Sequence, residues 1–268
     1  MKYVLDHDLH IHSRLSPCSN DPEQTPEAIL AHGVKAGYKH ICITDHFWDG
    51  DVPCASGTWA GFENINKSLP LPQAEGITFH FGCEADMDRY SVVGISRKHF
   101  DKFDFIIVPI NHLHCHWARV QKGEMDKKEQ AVILAQRFWN LTQLDLPFRK
   151  VGLAHITWDG LAGGSPNWSD HIEILNYIPD ARWRLLFTEA AEKGMGIELN
   201  VNYKRYAEGN EREAMLRPYR IAKECGCRFY FGSDAHHPKE LPALPERAAF
   251  FIDALHLTED DKFNPFAE

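Results

Sequence analysis

No stretch of this 268-residue sequence approaches the ~18 uninterrupted apolar residues of a membrane-spanning helix. The opening MKYVLDHDLH carries charges where a secretory leader has its apolar segment. These absences lead us to expect a cytoplasmic protein with no membrane partner. Basic residues are also scarce, 29 Lys and Arg against 38 Asp and Glu, for a formal charge of −9. That balance argues against a nucleic-acid partner, because such surfaces rely on clustered Lys and Arg. The seven cysteines are odd in number and lack framework spacing. Cys225-Gly226-Cys227 is no zinc-knuckle pair, so the thiols are expected to be free or metal-bound in a reducing compartment. Internal repeats, low-complexity tracts and linker-like stretches are absent.

What is present suits a packed α/β chain. A hydrophobic content of 44% is enough for a full core, and barrels of about 200–250 residues routinely form one domain, so residues 1–268 are expected to be one. After a first strand, Thr25-Pro26-Glu27 reads as an N-cap with proline at the first helical position, and Gly37 as a C-terminal stop. Further strands are predicted at 40–44, 77–81, 105–110, 151–155, 195–199 and 228–231, with helical patterns clearest at 127–139, 181–193 and 213–224. Alternation of this kind means parallel strands, and near-continuous apolar runs mean a sheet covered on both faces. Seven strands predict a distorted (β/α)7 barrel with its strand C-termini around one mouth.

Chemistry-bearing residues trail those runs. In an extended strand His10 and His12 share one side while Leu9 and Ile11 take the other, which makes Asp8-Leu9-His10-Ile11-His12-Ser13 a metal pincer. Thr44-Asp45-His46, Gly82-Cys83-Glu84, Asn111-His112-Leu113-His114, Ala154-His155 and Ser233-Asp234-Ala235-His236 follow other strands.

In this order, from Asp8 to His236, the motifs resemble the PHP family, named for polymerases and histidinol phosphatases. The resemblance implies a (β/α)7 barrel holding two to three divalent metal ions. It implies that His10, His12, Glu84 and Asp234 hold the first, that Glu84 bridges to a second held by His112 and His155, and that His46 and His236 help hold a third. Cys18 stands where the family usually has Asp or His, so the third position is where this chain departs from the pattern. Glu84, Asp234 and His236 are the expected catalytic residues. His114 is kept as a substrate contact or alternate ligand beside His112, and Lys204 and Arg205 are candidate phosphate-binding cations past the sixth strand.

The expected reaction is hydrolysis of a small phosphomonoester of the histidinol phosphate type. A metal cluster would acidify a bridging water into the nucleophile and neutralise phosphoryl oxygens. The imidazole and carboxylate donors suit zinc, iron or manganese without choosing among them. A phosphodiesterase or nuclease acting on short oligonucleotides, an amidohydrolase and a non-catalytic metal-binding barrel are the alternatives. Asp8, Asp45, Glu198 and Asn200 read either as groups orienting ligand histidines or as caps. Trp48, Trp59, Trp117, Trp158 and Trp168 read as cover for the core or as a substrate wall, and the stretch 47–66 as a long loop forming part of a lid.

Overall fold

The computed structural model describes residues 1–19, 21–54, 61–113, 126–157, 169–200 and 209–266. Its strands are β1 (His7–Ile11), β2 (His40–Ile43), β3 (His46–Phe47), β4 (Thr78–Ala85), β5 (Phe105–Val108), β6 (Val151–Leu153), β7 (Gly196–Glu198) and β8 (Arg228–Tyr230). Every strand pairing is parallel, in the order β1-β2-β4-β5-β6-β7-β8, with β3 added on β4. The two ends of this path meet: Leu9 N–H donates to the Phe231 carbonyl at 3.0 Å, Asp234 N–H to His10 at 2.7 Å and His12 N–H to Ala235 at 3.1 Å. The expected seven-strand curl is therefore present, with one strand added. Two-residue β3 carries too little sequence to show a period. It prolongs the third expected strand, pairing His46 with Glu84 and Phe47 with Ala85, so that β4 runs past Phe81 to include Glu84.

The helices are α1 (Pro26–Ala36), α2 (Phe62–Ile65), α3 (Lys127–Thr142), α4 (Ser169–Tyr177), α5 (Asp180–Lys193), α6 (Gly209–Glu224) and α7 (Leu244–Ala254). Helix α1 begins and ends as its sequence dictates: the Thr25 hydroxyl accepts from Ala28 N–H, and Gly37 takes the left-handed φ of 76° that ends the helix. Helix α3 opens on a reciprocal cap between Asp126 and Glu129. It packs on α4 and α5, and α6 packs on the same two. None of the described helices is long and apolar enough to cross a membrane.

Alternation along β5 explains the layers. Ile106 and Val108 join the large core shared with the helices, whereas Phe105 and Ile107 pack inward with Leu9, Cys42, Ala154, Tyr230 and Phe263. In β1 the pairing register shifts between Asp8 and Ile11. Leu9 consequently packs with the inner group and Ile11 with the outer one, instead of the two sharing a side. Trp48 is fully buried with its indole N–H on the Val52 carbonyl, so it covers the core. Trp59, Trp117, Trp158 and Trp168 lie outside the described residues. The stretch 47–66 is not wholly loop, since it contains the end of β3 and α2.

Candidate metal centre

The strand C-termini place the site. His12 follows β1, His46 begins β3, Glu84 lies in β4, His112 follows β5, His155 follows β6, Glu198 ends β7, and Asp234 and His236 follow β8. Parallel pairing turns the strand C-termini the same way and so brings these points to one mouth. Gln24 ties the first and last segments together, its amide N–H donating to the carbonyls of His12 at 2.9 Å and Ala235 at 3.2 Å.

The β1 register shift does not separate the two histidines, whose Nε2 atoms come within 3.2 Å. Around them, three sets of donor atoms each converge within 4.8 Å: His10, His12 and Asp234; His10, Glu84 and His155; and His12, Cys18 and His46. These sets overlap the expected ones without reproducing them: His10 and His12 each take part in two, and His112 and His236 in none. Glu84 lies at the centre. Its Oε2 is 3.4 Å from His12 Nε2 and 3.8 Å from His10 Nε2. Its Oε1 faces the opposite pair, His155 Nε2 at 3.4 Å and His112 Nε2 at 3.8 Å. That Oε1 is buried and accepts no hydrogen bond among the described residues, a costly state for a carboxylate oxygen unless a cation meets it. Donor chemistry and the orphaned oxygen both fit bound divalent cations.

A surrounding layer of polar groups orients the imidazoles. Glu198 accepts from His10 Nδ1 at 2.8 Å through one oxygen and from the His155 backbone N–H at 2.7 Å through the other. The Asn111 carbonyl oxygen lies 3.1 Å from His155 Nδ1, and the Asn111 amide donates to the His155 carbonyl. Asp86 lies 2.9 Å from His46 Nδ1 and 3.0 Å from His112 Nδ1. Occupying Nδ1 in this way leaves Nε2 as the ligand atom. Asp45 accepts from the Ser13 N–H and hydroxyl, and Asp8 from Ser233 N–H, so both brace the backbone beside the ligands. Asn200 accepts from Arg247.

Burial and charge set the protonation of these groups. Burial alone would raise Glu84, but the charge of His46 and the nearby imidazoles of His10 and His155 hold it well below the carboxylate range. Asp234 is likewise held low against burial by His10 and His12. Burial, with the charge of His236, lowers His12 to about 3, and burial raises Asp8 to about 7. Cys18 is brought down to about 7: burial opposes ionisation, and hydrogen bonds from His236 and His46 outweigh it. Its sulfur also lies 3.3 Å from the Ser16 hydroxyl, which in turn lies 3.1 Å from His12 Nδ1.

Two candidate ligands, His155 and Asp234, have positive φ values of 22° and 53°. Such backbone costs about 1–3 kcal/mol and persists where surroundings over-determine it. Here the Glu198 bond fixes His155, and the bond to the His10 carbonyl fixes Asp234. His236 stacks on His12 with ring centroids 4.4 Å apart and has its Nδ1 2.8 Å from the Asp234 carbonyl. Of the expected substrate-binding residues, His114, Lys204 and Arg205 lie outside the described residues. Sequence reasoning missed Asp86. The available signal was Glu84-x-Asp86, two carboxylates with the spacing that shares a strand face.

The PHP domain family model matches residues 8–202. A protein of Caldicellulosiruptor saccharolyticus described as a probable phosphatase is 23% identical over 238 residues, 88% of this chain and 82% of its own length. Among solved structures, histidinol phosphate phosphatase from Lactococcus lactis, in complex with zinc, L-histidinol and phosphate, superposes with a TM-score of 0.62 at 16% identity, covering 98% of each chain. At that identity the likeness is one of fold.

Proposed function

The chain belongs to the PHP domain family, and from that premise we propose that it is a metal-dependent phosphoesterase hydrolysing a small phosphomonoester of the histidinol phosphate type. The observation that carries this reading is Glu84, whose Oε2 lies among His46, His12 and His10 while its Oε1 faces His155 and His112. A carboxylate so placed suits a bridge between two cations. His10, His12 and Asp234 would hold one ion with Glu84, and His112 and His155 a second; Cys18, His46 and His236 are the proposed ligands of a third. The donor set suits zinc, iron or manganese. Bound there, the ions would acidify a water and neutralise the oxygens of the transferring phosphoryl group.

The protein's own residues supply order. Glu198, Asn111 and Asp86 keep ligand imidazoles in fixed orientation, so that no reorganisation is needed as charge develops. Glu84 and Asp234 stay ionised at neutral pH and can balance the cations. His236 is only partly buried at the rim, where we propose that it meets the substrate. His114, Lys204 and Arg205 are proposed to contact the phosphate. The acidic chain favours a small substrate over a polyanion, and the free thiols among the described residues fit a reducing, cytoplasmic setting.

A phosphomonoester panel, with histidinol phosphate included, tests the reading on protein supplied with zinc, iron or manganese. Turnover of monoesters with little binding to duplex DNA at physiological salt is expected. Cleavage of short oligonucleotides without monoester turnover would replace it with the nuclease reading.

A further inference from the structure

We infer that Asp86 is a positioning residue that joins two metal positions, the one built on His46 and the one built on His112. The inference rests on the metal-binding reading given above. Asp86 is fully buried and follows Glu84 at the spacing that returns a strand residue to the same face. Its two oxygens are divided between two imidazoles: Oδ2 is 2.9 Å from His46 Nδ1 and Oδ1 is 3.0 Å from His112 Nδ1. His46 Nδ1 also lies 3.1 Å from Glu84 Oε2, so the Asp86 oxygen is the closer acceptor.

The two histidines serve different groups of donors. His46 converges with Cys18 and His12, whereas His112 directs Nε2 toward Glu84 Oε1 at 3.8 Å. A single carboxylate thus fixes which nitrogen each of two ligands presents, and to two different positions. With both oxygens engaged and no exposed surface, Asp86 acts through the histidines.

Arg137 holds this joint from behind. It comes from the middle of α3 and is buried, and its guanidinium donates to the carbonyls of Ile110 at 2.6 Å, Asp88 at 2.6 Å and Met87 at 3.0 Å. Met87 and Asp88 directly follow Asp86, and Ile110 lies two residues before His112. The rigid fork of an arginine spans both segments at once, which a lysine cannot do. The separation between Asp86 and His112 is therefore set by α3 as well as by the sheet.

The test compares wild type with Asp86→Asn, full length, by zinc titration calorimetry and by nitrogen NMR of labelled histidine in the zinc-loaded protein. Asparagine keeps the volume but offers one acceptor oxygen, so the side chain can no longer accept from both imidazoles. We expect wild type to show protonated, hydrogen-bonded Nδ1 and coordinated Nε2 at both His46 and His112. Asp86→Asn should weaken two zinc positions together, each roughly 10–100-fold, while the His10, His12 and Asp234 position stays filled. Unchanged zinc affinity at every position in Asp86→Asn would overturn the inference alone. The wild-type spectrum tests it even where the variant does not fold, since coordination through Nδ1 at either histidine would overturn it equally. A wild type that takes up no zinc would overturn the metal reading and this inference with it.

Discussion

His10 and Glu198, 188 residues apart in sequence, meet at 2.8 Å with both side chains fully buried. Gly232 makes the contact possible: a Cβ there would lie 2.2 Å from His10 Cβ and 2.5 Å from Glu198 Oε1. The pair is thus built by two strands and a connecting segment, with β1 and β7 supplying the side chains and the residues after β8 supplying the space.

Glu198→Gln should retain the fold and lower metal affinity at the His10 position roughly 10–100-fold, because a neutral amide replaces the acceptor that orients the ring. Gly232→Ala should do the same by forcing the two side chains apart. Metal titration of both variants checks this, and affinities equal to wild type would show that His10 needs no such support.

Cys18 offers a softer donor than the Asp or His usual at that place. Cys18→Ser should weaken one metal position and leave the His10, His12, Glu84 and Asp234 position occupied. Cys18→Asp should restore occupancy with harder ions such as manganese. Elemental analysis after loading with zinc and with manganese reads both effects, and equal metal content and activity in wild type and Cys18→Ser would mean that the thiol only packs.

Acid should destabilise the protein through a histidine far from the metal centre. His80 in β4 lies with its Nε2 3.0 Å from His40 Nδ1 and stacks on Phe266 at 3.5 Å between centroids. Burial lowers it to about 4, with Asp104 opposing and His40 assisting. Unfolded, the same ring titrates at about 6.5. Between these values the unfolded chain binds the proton and the folded one does not, so stability falls as pH drops from about 6.5 toward 4. The loss from this group at pH 5 is up to about 2 kcal/mol. Denaturant unfolding at pH 7 and pH 5 should show a smaller loss in His80→Leu than in wild type. Equal losses would assign the acid sensitivity elsewhere.

Much of the architecture was legible because it rests on local signals. Thr25 and Gly37 bracket α1 by capping chemistry that sequence displays directly, and the apolar run Phe105–Val108 can be read as a doubly covered strand. The candidate ligands were legible for a similar reason, since most lie at or just past the C-terminal end of a strand. Other features depend on distant partners. His46–Phe47 becomes a strand only because β4 is there to pair with it, and that pairing carries the ladder to Glu84. Asp86 acquires its role from His46 and His112, 40 and 26 residues away in sequence. Glu198 could be read equally as a cap or as an orienting group until its two partners from β1 and β6 were in place.

The central claim is that Glu84 bridges two bound cations, and the most direct measurement is metal stoichiometry in wild type and Glu84→Gln, paired with phosphomonoester turnover. One neutral amide would replace a charge shared by two ions, so the account predicts bound divalent metal in wild type, a loss of more than one ion per chain in the variant, and loss of most activity. Full metal content and turnover in Glu84→Gln would contradict it.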